Sequence, residues 1–429
     1  MMVVVSSRPA VRAGLRGRAE RAARRRDSVT QMLEGIRVLE FATNVAGPFA
    51  GKLLADYGAE VLKIEPPTGD PSRNAGPFPD DIPHSEKSGL FLHLNTNKQS
   101  MTLNLDTEEG RAIARRLIGH ADVVIDDFRP GLLDDYEMHY EAMSAGHPDL
   151  IMASITPFGQ SGPWRDYAGS EITLQAMGGP LHGNGAPYRE PAKLGGYTAH
   201  YHAGLATSLA ILLARFRVEA GGAGDWIDQS VYEAQAGFRD RRTISLTAAA
   251  YSGLSSTRQP PGGRAAMGVR PAIDGYVNIF AGGTKHFDGF LDEIGRPDLK
   301  EHPDFGKQVH EYSAEYQQEI EGSYLAWLFE TPKLEAVART QRHGILGGAI
   351  MSTEDLVNDP HYRGRGVWET IDHPVAGPLE YPGRQLVLSD SPKAPARPAP
   401  LLGAQTVDVL TQLGYDRAAL PRLRAQGVI

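Results

Sequence analysis

LEGIRVLEFATNVAGPFAGKLLADYGAEVLKIE, from Leu33 to Glu65, decides the fold. Ile36 to Phe41 is an apolar run of strand length, and Gly47-Pro48 opens a helix that places Ala50, Leu53, Leu54 and Tyr57 on one face. Gly58 stops that helix, and Glu60 to Glu65 makes the next strand. Strand, crossover helix and strand form a βαβ unit, which burial and handedness rules assign to a parallel sheet.

The pattern recurs downstream. Met101 to Leu105 reads as a strand, Asp106 with Glu109 as a helix cap, Ile113, Leu117 and Ile118 as an apolar stripe, and Asp122 to Phe128 as the following strand. A third unit runs from the turn Arg129-Pro130-Gly131 to the strand Leu150 to Ile155. This alternation predicts an α/β chain with a Rossmann-like, doubly wound large domain. Beyond Gly159 turns multiply, a long helix carries Leu205, Leu209, Leu212, Leu213 and Phe216, and a mixed strand and helix module runs from about Asp274 to Gly366. The expected organisation is a leader (1–31), the large domain (32–225), a linker with a smaller α+β domain (226–366) and a C-terminal segment (367–429).

Composition limits the chemistry. A hydrophobic share of 41% and a charged share of 22% over 429 residues are those of a globular protein. With no cysteine, disulfides, zinc–thiolate sites, iron–sulfur clusters and a thiol nucleophile are excluded. A net charge of −8 argues against nucleic acid as a partner. The arginine-rich stretch Met1 to Arg26 reads either as a targeting peptide or as a disordered or wrongly assigned leader. Nowhere is there the run of about 20 apolar residues that a membrane span needs. A cytoplasmic protein without a membrane partner is the expectation.

Several groups are candidates for chemistry. Asn44, Val45 and Ala46 lie where a strand ends and a helix opens, a place that suits a phosphate, although Gly47 and Gly51 are equally explained by close helix–sheet packing. The segment is not GxGxxG, so NAD and FAD are not indicated. Lys63, Arg73 and Lys98 follow strand ends and would neutralise phosphates, or else are solvated charges. His200 and His202 are two apart on a helix start and point to different faces, which argues against a shared metal. Glu171 and Gln175 share a helix face, and Glu190 follows a glycine-rich turn. Either carboxylate would serve as nucleophile or general base, against the plain reading of a solvated helix-start glutamate.

Taken together these segments resemble the class III CoA-transferase family, the CaiB/BaiF type that includes formyl-CoA and carnitine CoA-transferases and alpha-methylacyl-CoA racemase. The most specific pieces are Leu33 to Arg73, NTNKQSMTLNL (Asn95 to Leu105), ADVVIDDFRPG (Ala121 to Gly131), ASITPFGQSGP (Ala153 to Pro163) and SEITLQAMGG (Ser170 to Gly179). The resemblance implies an interlocked dimer, either a homodimer or a heterodimer with a paralogue. Coenzyme A would be bound as acyl-CoA co-substrate, with a carboxylic acid as second substrate and no metal. It implies CoA contacts at Asn44, Val45, Ala46, Lys98, Leu103, Asp127, Phe128 and Arg129, and an active-site loop at Gly262 and Gly263. The family's aspartate turn, G-x-P-D-G-P-P, corresponds to Gly185-Ala186-Pro187-Tyr188-Arg189-Glu190-Pro191, with Tyr188 in the aspartate's place. The racemase pair corresponds to Ser170 and His200. Asp127 and Asp135 replace an asparagine and an arginine near the nucleotide. Catalytic candidates are therefore Glu190, Tyr188, Glu171 and His200. The implied function is CoA transfer between carboxylic acids or a diverged acyl-CoA reaction, the alternatives being a non-catalytic subunit or a CoA-independent enzyme that reuses the cleft.

Overall fold

The structure, a computed structural model, describes residues 31–237, 250–253, 258, 264–283, 285–391 and 394–429. Of these, the residues within Met1–Pro180, Lys193–Thr243 and Gly366–Ile429 form one compact unit, and those within Leu181–Ala192 and Ile244–Arg365 form another.

The first unit is organised on a six-stranded sheet. Its strands are β1 (Arg37–Glu40), β2 (Glu60–Glu65), β3 (Gln99–Thr102), β4 (Val123–Asp126), β5 (Ile151–Thr156) and β6 (Trp226–Ser230). All pairs are parallel and the order is β3-β2-β1-β4-β5-β6. The order reverses direction between β1 and β4, and in open parallel sheets ligands bind beyond the carboxyl ends of the strands at such a point. Sequence reading ends the large domain at residue 225, but Trp226–Ser230 extends the sheet. The strand was missed because its half-exposed polar alternation lacks the apolar run of the inner strands.

Helix α1 (Ala46–Asp56) connects β1 to β2, α2 (Gly89–Leu94) precedes β3, and α3 (Glu108–Ile118) connects β3 to β4. The cap of α3 is Thr107, not Asp106: its Oγ1 accepts the Gly110 N–H at 3.0 Å, with Glu108 and Glu109 in the first turn. α4 (Glu171–Met177), the long α5 (Thr198–Glu219) and α6 (Val231–Gly237) follow. One sheet face, with Val38, Val123, Ile125, Ile151 and Ala153, packs on α1 and α5, and the opposite face, with Leu39, Val124 and Met152, packs on α3 and the C-terminal helices. The C-terminal segment closes the β3 edge. Gln405 Oε1 accepts the Ser100 N–H at 2.8 Å, and Asn104 N–H reaches Val428 O at 2.8 Å.

The contact between α1 and α5 explains the composition of α5. The first half of its buried side is made of small residues, Ala199, Ala203, Gly204, Thr207 and Ser208, which let the helix approach closely, before Ile211 and Val218. A Cβ at Gly204 would lie 2.5 Å from the Ala46 carbonyl oxygen. Gly204→Ala is accordingly expected to cost about 1–3 kcal/mol in urea unfolding, because backbone would have to move. Gly47 and Gly51 serve packing in the same way: a Cβ would meet Ala42 Cβ at 2.1 Å and Glu40 Oε2 at 1.9 Å.

The second unit carries an antiparallel sheet of β7 (Met267–Ala272), β8 (Gly275–Phe280) and β9 (Leu346–Ala349), with helices α7 (Phe287–Glu293), α8 (Ala314–Glu330) and α9 (Lys333–Arg342). Tyr316, Ile320, Tyr324 and Leu328 recur every fourth residue of α8 and form its buried stripe with Phe287 and Phe290.

Candidate active site

The site begins where α4 and α5 start. The side chain of Glu171, at the first position of α4, is only 9% exposed and meets the first turn of α5. Its Oε1 accepts the Ala199 N–H at 2.8 Å and Gln175 Nε2 at 2.6 Å. Its Oε2 accepts the His200 N–H at 3.3 Å and bonds His200 Nδ1 at 2.6 Å. Burial opposes the charge on Glu171, but hydrogen bonds from His200, the Ala199 N–H and Gln175 outweigh it and hold the carboxyl down at about 2.

An ionised carboxylate only accepts hydrogen bonds, so Nδ1 of His200 carries the proton that joins them. Nε2 is then left without a protein partner among the described residues, on a side chain 25% exposed. Gln175, itself buried, ties the pair to the chain entering α5, since its Oε1 accepts the Leu194 N–H at 2.9 Å. Gln235 holds Ala199 O at 3.3 Å. The imidazole is thus fixed from one side and open at the other.

The β1–α1 turn lies against the same helix start. Phe49 and Tyr201 meet edge to face at 4.7 Å, and Gly204 packs one turn beyond His200 on Ala46. Asn44 is exposed in the left-handed region, φ 57°, while Val45 and Ala46 are buried. Asp70 fixes this turn by accepting the Asn44 N–H at 3.1 Å.

Across the switch point, Asp127 accepts the Thr43 N–H at 2.8 Å and Oγ1 at 3.1 Å, binding the end of β4 to the end of β1. Burial drives its carboxyl up to about 7 against the Thr43 N–H and Lys63. Asp126, on the other face, is raised to about 7 by burial despite Ser154. Phe128 is partly buried, and Arg129 is exposed and paired with Asp135 at 2.7 Å.

The three candidate phosphate cations are engaged inside the protein. Lys63 Nζ bonds Glu40 Oε1 at 3.0 Å, Asp70 Oδ2 at 2.8 Å and Ala42 O at 2.6 Å. Lys98 Nζ bonds Glu40 Oε2 at 2.8 Å, Pro48 O at 2.7 Å and Asn95 Oδ1 at 2.9 Å. Arg73 makes a two-point pair with Glu65 and another bond to Glu86. The side chains of Lys63 and Lys98 are fully buried, so their sequence reading as phosphate ligands is corrected: they neutralise carboxylates under the β1–α1 turn. Leu103 is likewise a core residue, 1% exposed, and offers a ligand no side chain.

Tyr188 and Glu190 belong to the second unit, where both are exposed, Tyr188 at 73%. Gly262 and Gly263 lie outside the described residues. Among the described residues no group of three or more His, Asp or Glu side chains is placed to hold a metal, and no helix is long and apolar enough to cross a membrane.

The family model of CoA-transferase family III matches residues 33–406. Succinyl-CoA–D-citramalate CoA-transferase of Chloroflexus aurantiacus is 31% identical over 404 residues, 92% of this chain and 98% of that protein. Succinate–glutarate CoA-transferase of Agrobacterium fabrum is 30% identical, covering 91% of this chain and 98% of the relative. A crystal structure of a CaiB/BaiF family protein from Brucella suis superposes with a TM-score of 0.77 at 30% identity, covering 90% of this chain and all of that one.

Proposed function

We propose, for a chain that belongs to CoA-transferase family III, that its acyl-CoA chemistry is carried by the Glu171–His200 pair and that succinyl-CoA is its donor, with a short dicarboxylic acid as acceptor. The observation that carries this is the 2.6 Å contact between Glu171 and His200 Nδ1, which orients the ring and leaves Nε2 without a protein partner among the described residues. The donor and acceptor classes are supported by the names of the relatives, which act on succinyl-CoA or succinate with citramalate or glutarate. The turn Asn44–Ala46, packed on the start of α5, and the segment Asp127–Arg129 across the switch point are the surfaces proposed to meet CoA. Incubating the protein with succinyl-CoA and a panel of C4 and C5 dicarboxylates, and separating thioesters by chromatography, is expected to give a new CoA thioester. No consumption of succinyl-CoA, alone or with any acid, would reject the reading.

Asp135 accepts a bond from Arg129 at 2.7 Å and adds a negative charge beside the proposed CoA surface. Asp135→Arg is expected to strengthen CoA binding by on the order of 1–3 kcal/mol, measured by calorimetry, because it frees one cation and supplies another.

The active form is proposed to be a dimer of this chain in the cytoplasm. Leu205, Leu209, Leu212, Leu213 and Phe216 form one stripe along α5 and are 39–73% exposed, an apolar face that a second subunit would cover. Sedimentation at micromolar concentration is expected to give twice the chain mass, and a monomer would overturn this assignment.

A further inference from the structure

The histidine at the site has consequences for which half of the thioester the enzyme holds. We infer that Nε2 of His200 takes the acyl group itself, so that the covalent intermediate is an acyl-histidine while CoA stays bound without a covalent link. This rests on the acyl-CoA reading above.

Glu171 is unsuited to be the nucleophile. Both of its oxygens are occupied, Oε1 by Ala199 N–H and Gln175 and Oε2 by the two His200 nitrogens, and the carboxylate is buried. Attack through either oxygen would break bonds that fix the start of α5. The same arrangement favours attack by the imidazole. With the proton held on Nδ1, the Nε2 lone pair is free to add to the thioester carbonyl carbon. The carbon–sulfur bond breaks with its electron pair on sulfur, giving CoA thiolate and a cationic acylimidazole. The Glu171 carboxylate, 2.6 Å from Nδ1 and itself only 9% exposed, compensates the new positive charge.

The acceptor carboxylate then adds to the acyl carbon, and the carbon–nitrogen bond breaks to return the electron pair to Nε2. A mixed anhydride of donor and acceptor results. CoA thiolate attacks the acceptor's carbonyl carbon, and the donor acid leaves as its carboxylate. Atoms and charge balance without any oxidant or reductant. An imidazole cannot carry CoA in this scheme, because a nitrogen–sulfur bond would require an oxidant. CoA must therefore remain in its site while the acceptor binds, and in the absence of an acceptor water takes the acyl group, so the enzyme also hydrolyses its donor slowly.

The test is a rapid-quench experiment with the full-length protein and succinyl-CoA, without acceptor, followed by digestion and mass spectrometry. The expected result is a succinyl adduct on the peptide containing His200, with free CoA in equal amount. His200→Gln, whose amide NH2 can still donate to Glu171, is expected to abolish the adduct and to lower succinyl-CoA turnover by about 100-fold or more. Turnover by the wild type with CoA itself esterified to a carboxylate, with no adduct on His200, or with undiminished turnover in His200→Gln, overturns the inference and leaves the acyl-CoA reading intact. A wild-type protein that consumes no succinyl-CoA overturns both.

Discussion

Replacing Lys63 by methionine is expected to lower the unfolding free energy by about 3–5 kcal/mol, read as a fall in the urea midpoint. The ammonium group is fully buried between Glu40 and Asp70, and its removal leaves two carboxylates with fewer partners in a place water does not reach. Burial alone would depress its pKa, yet Asp70, Glu40 and Glu65 together raise it above the usual lysine value. Asp70 is correspondingly held down at about 2 from 3.8, with burial opposing and Lys63 prevailing. A depressed carboxyl stabilises the fold above its ordinary pKa and loses that contribution as pH falls through the folded value. The wild type should therefore lose stability between about pH 4 and 2, whereas the Lys63→Met protein, less stable at neutral pH, should lose less over that window, because Asp70 no longer has the cation that depresses its carboxyl. An equal loss over that window in both proteins would show that Lys63 does not act through Asp70.

Glu171→Gln is expected to lower kcat for succinyl-CoA by about 100-fold or more, with a smaller change in KM. An amide places an NH2 where four donors converge, so at least one of them faces another donor. If the amide oxygen turns to Ala199 and Gln175, Nδ1 of His200 meets the NH2 and gives up its proton to Nε2, which removes the reactive lone pair. A purely structural glutamate would change the melting temperature without this selective loss in kcat. The wild-type carboxylate remains ionised down to about 2, so it does not set the acid limb of the activity profile.

Much of the fold was legible because β1, β2, β4 and β5 lie in short, mainly apolar runs separated by amphipathic helices, whereas the polar start of β3, Gln99–Thr102, left its strand expected two residues too late, at Met101. What the sequence reading missed was which charges are buried. Glu40 sits inside IRVLEF, and an acid in that run forces a cation beside it, a signal that would have assigned Lys63 and Lys98 to the interior. The leucines of α5 were visible in the sequence, but not which side of the helix they take: they are exposed, opposite a buried side of mostly small residues with Ile211 and Val218. The two residues of the carboxylate–imidazole pair were candidates, but their pairing was not legible. Glu171 and His200 are 29 positions apart on separate helix starts, and only the fold brings them within 2.6 Å. Sequence reading named each as a catalytic candidate separately, Glu171 against the plain reading of a solvated helix-start acid and His200 through the family resemblance. Family resemblance drew attention to the turn at Tyr188, where a departure from pattern is visible in the letters themselves.

The most direct discrimination is between these two places. Turnover of succinyl-CoA by the double variant Tyr188→Phe, Glu190→Gln, measured beside Glu171→Gln, is predicted to match the wild type while Glu171→Gln collapses. A double variant as inactive as Glu171→Gln would contradict the account and return the chemistry to the turn.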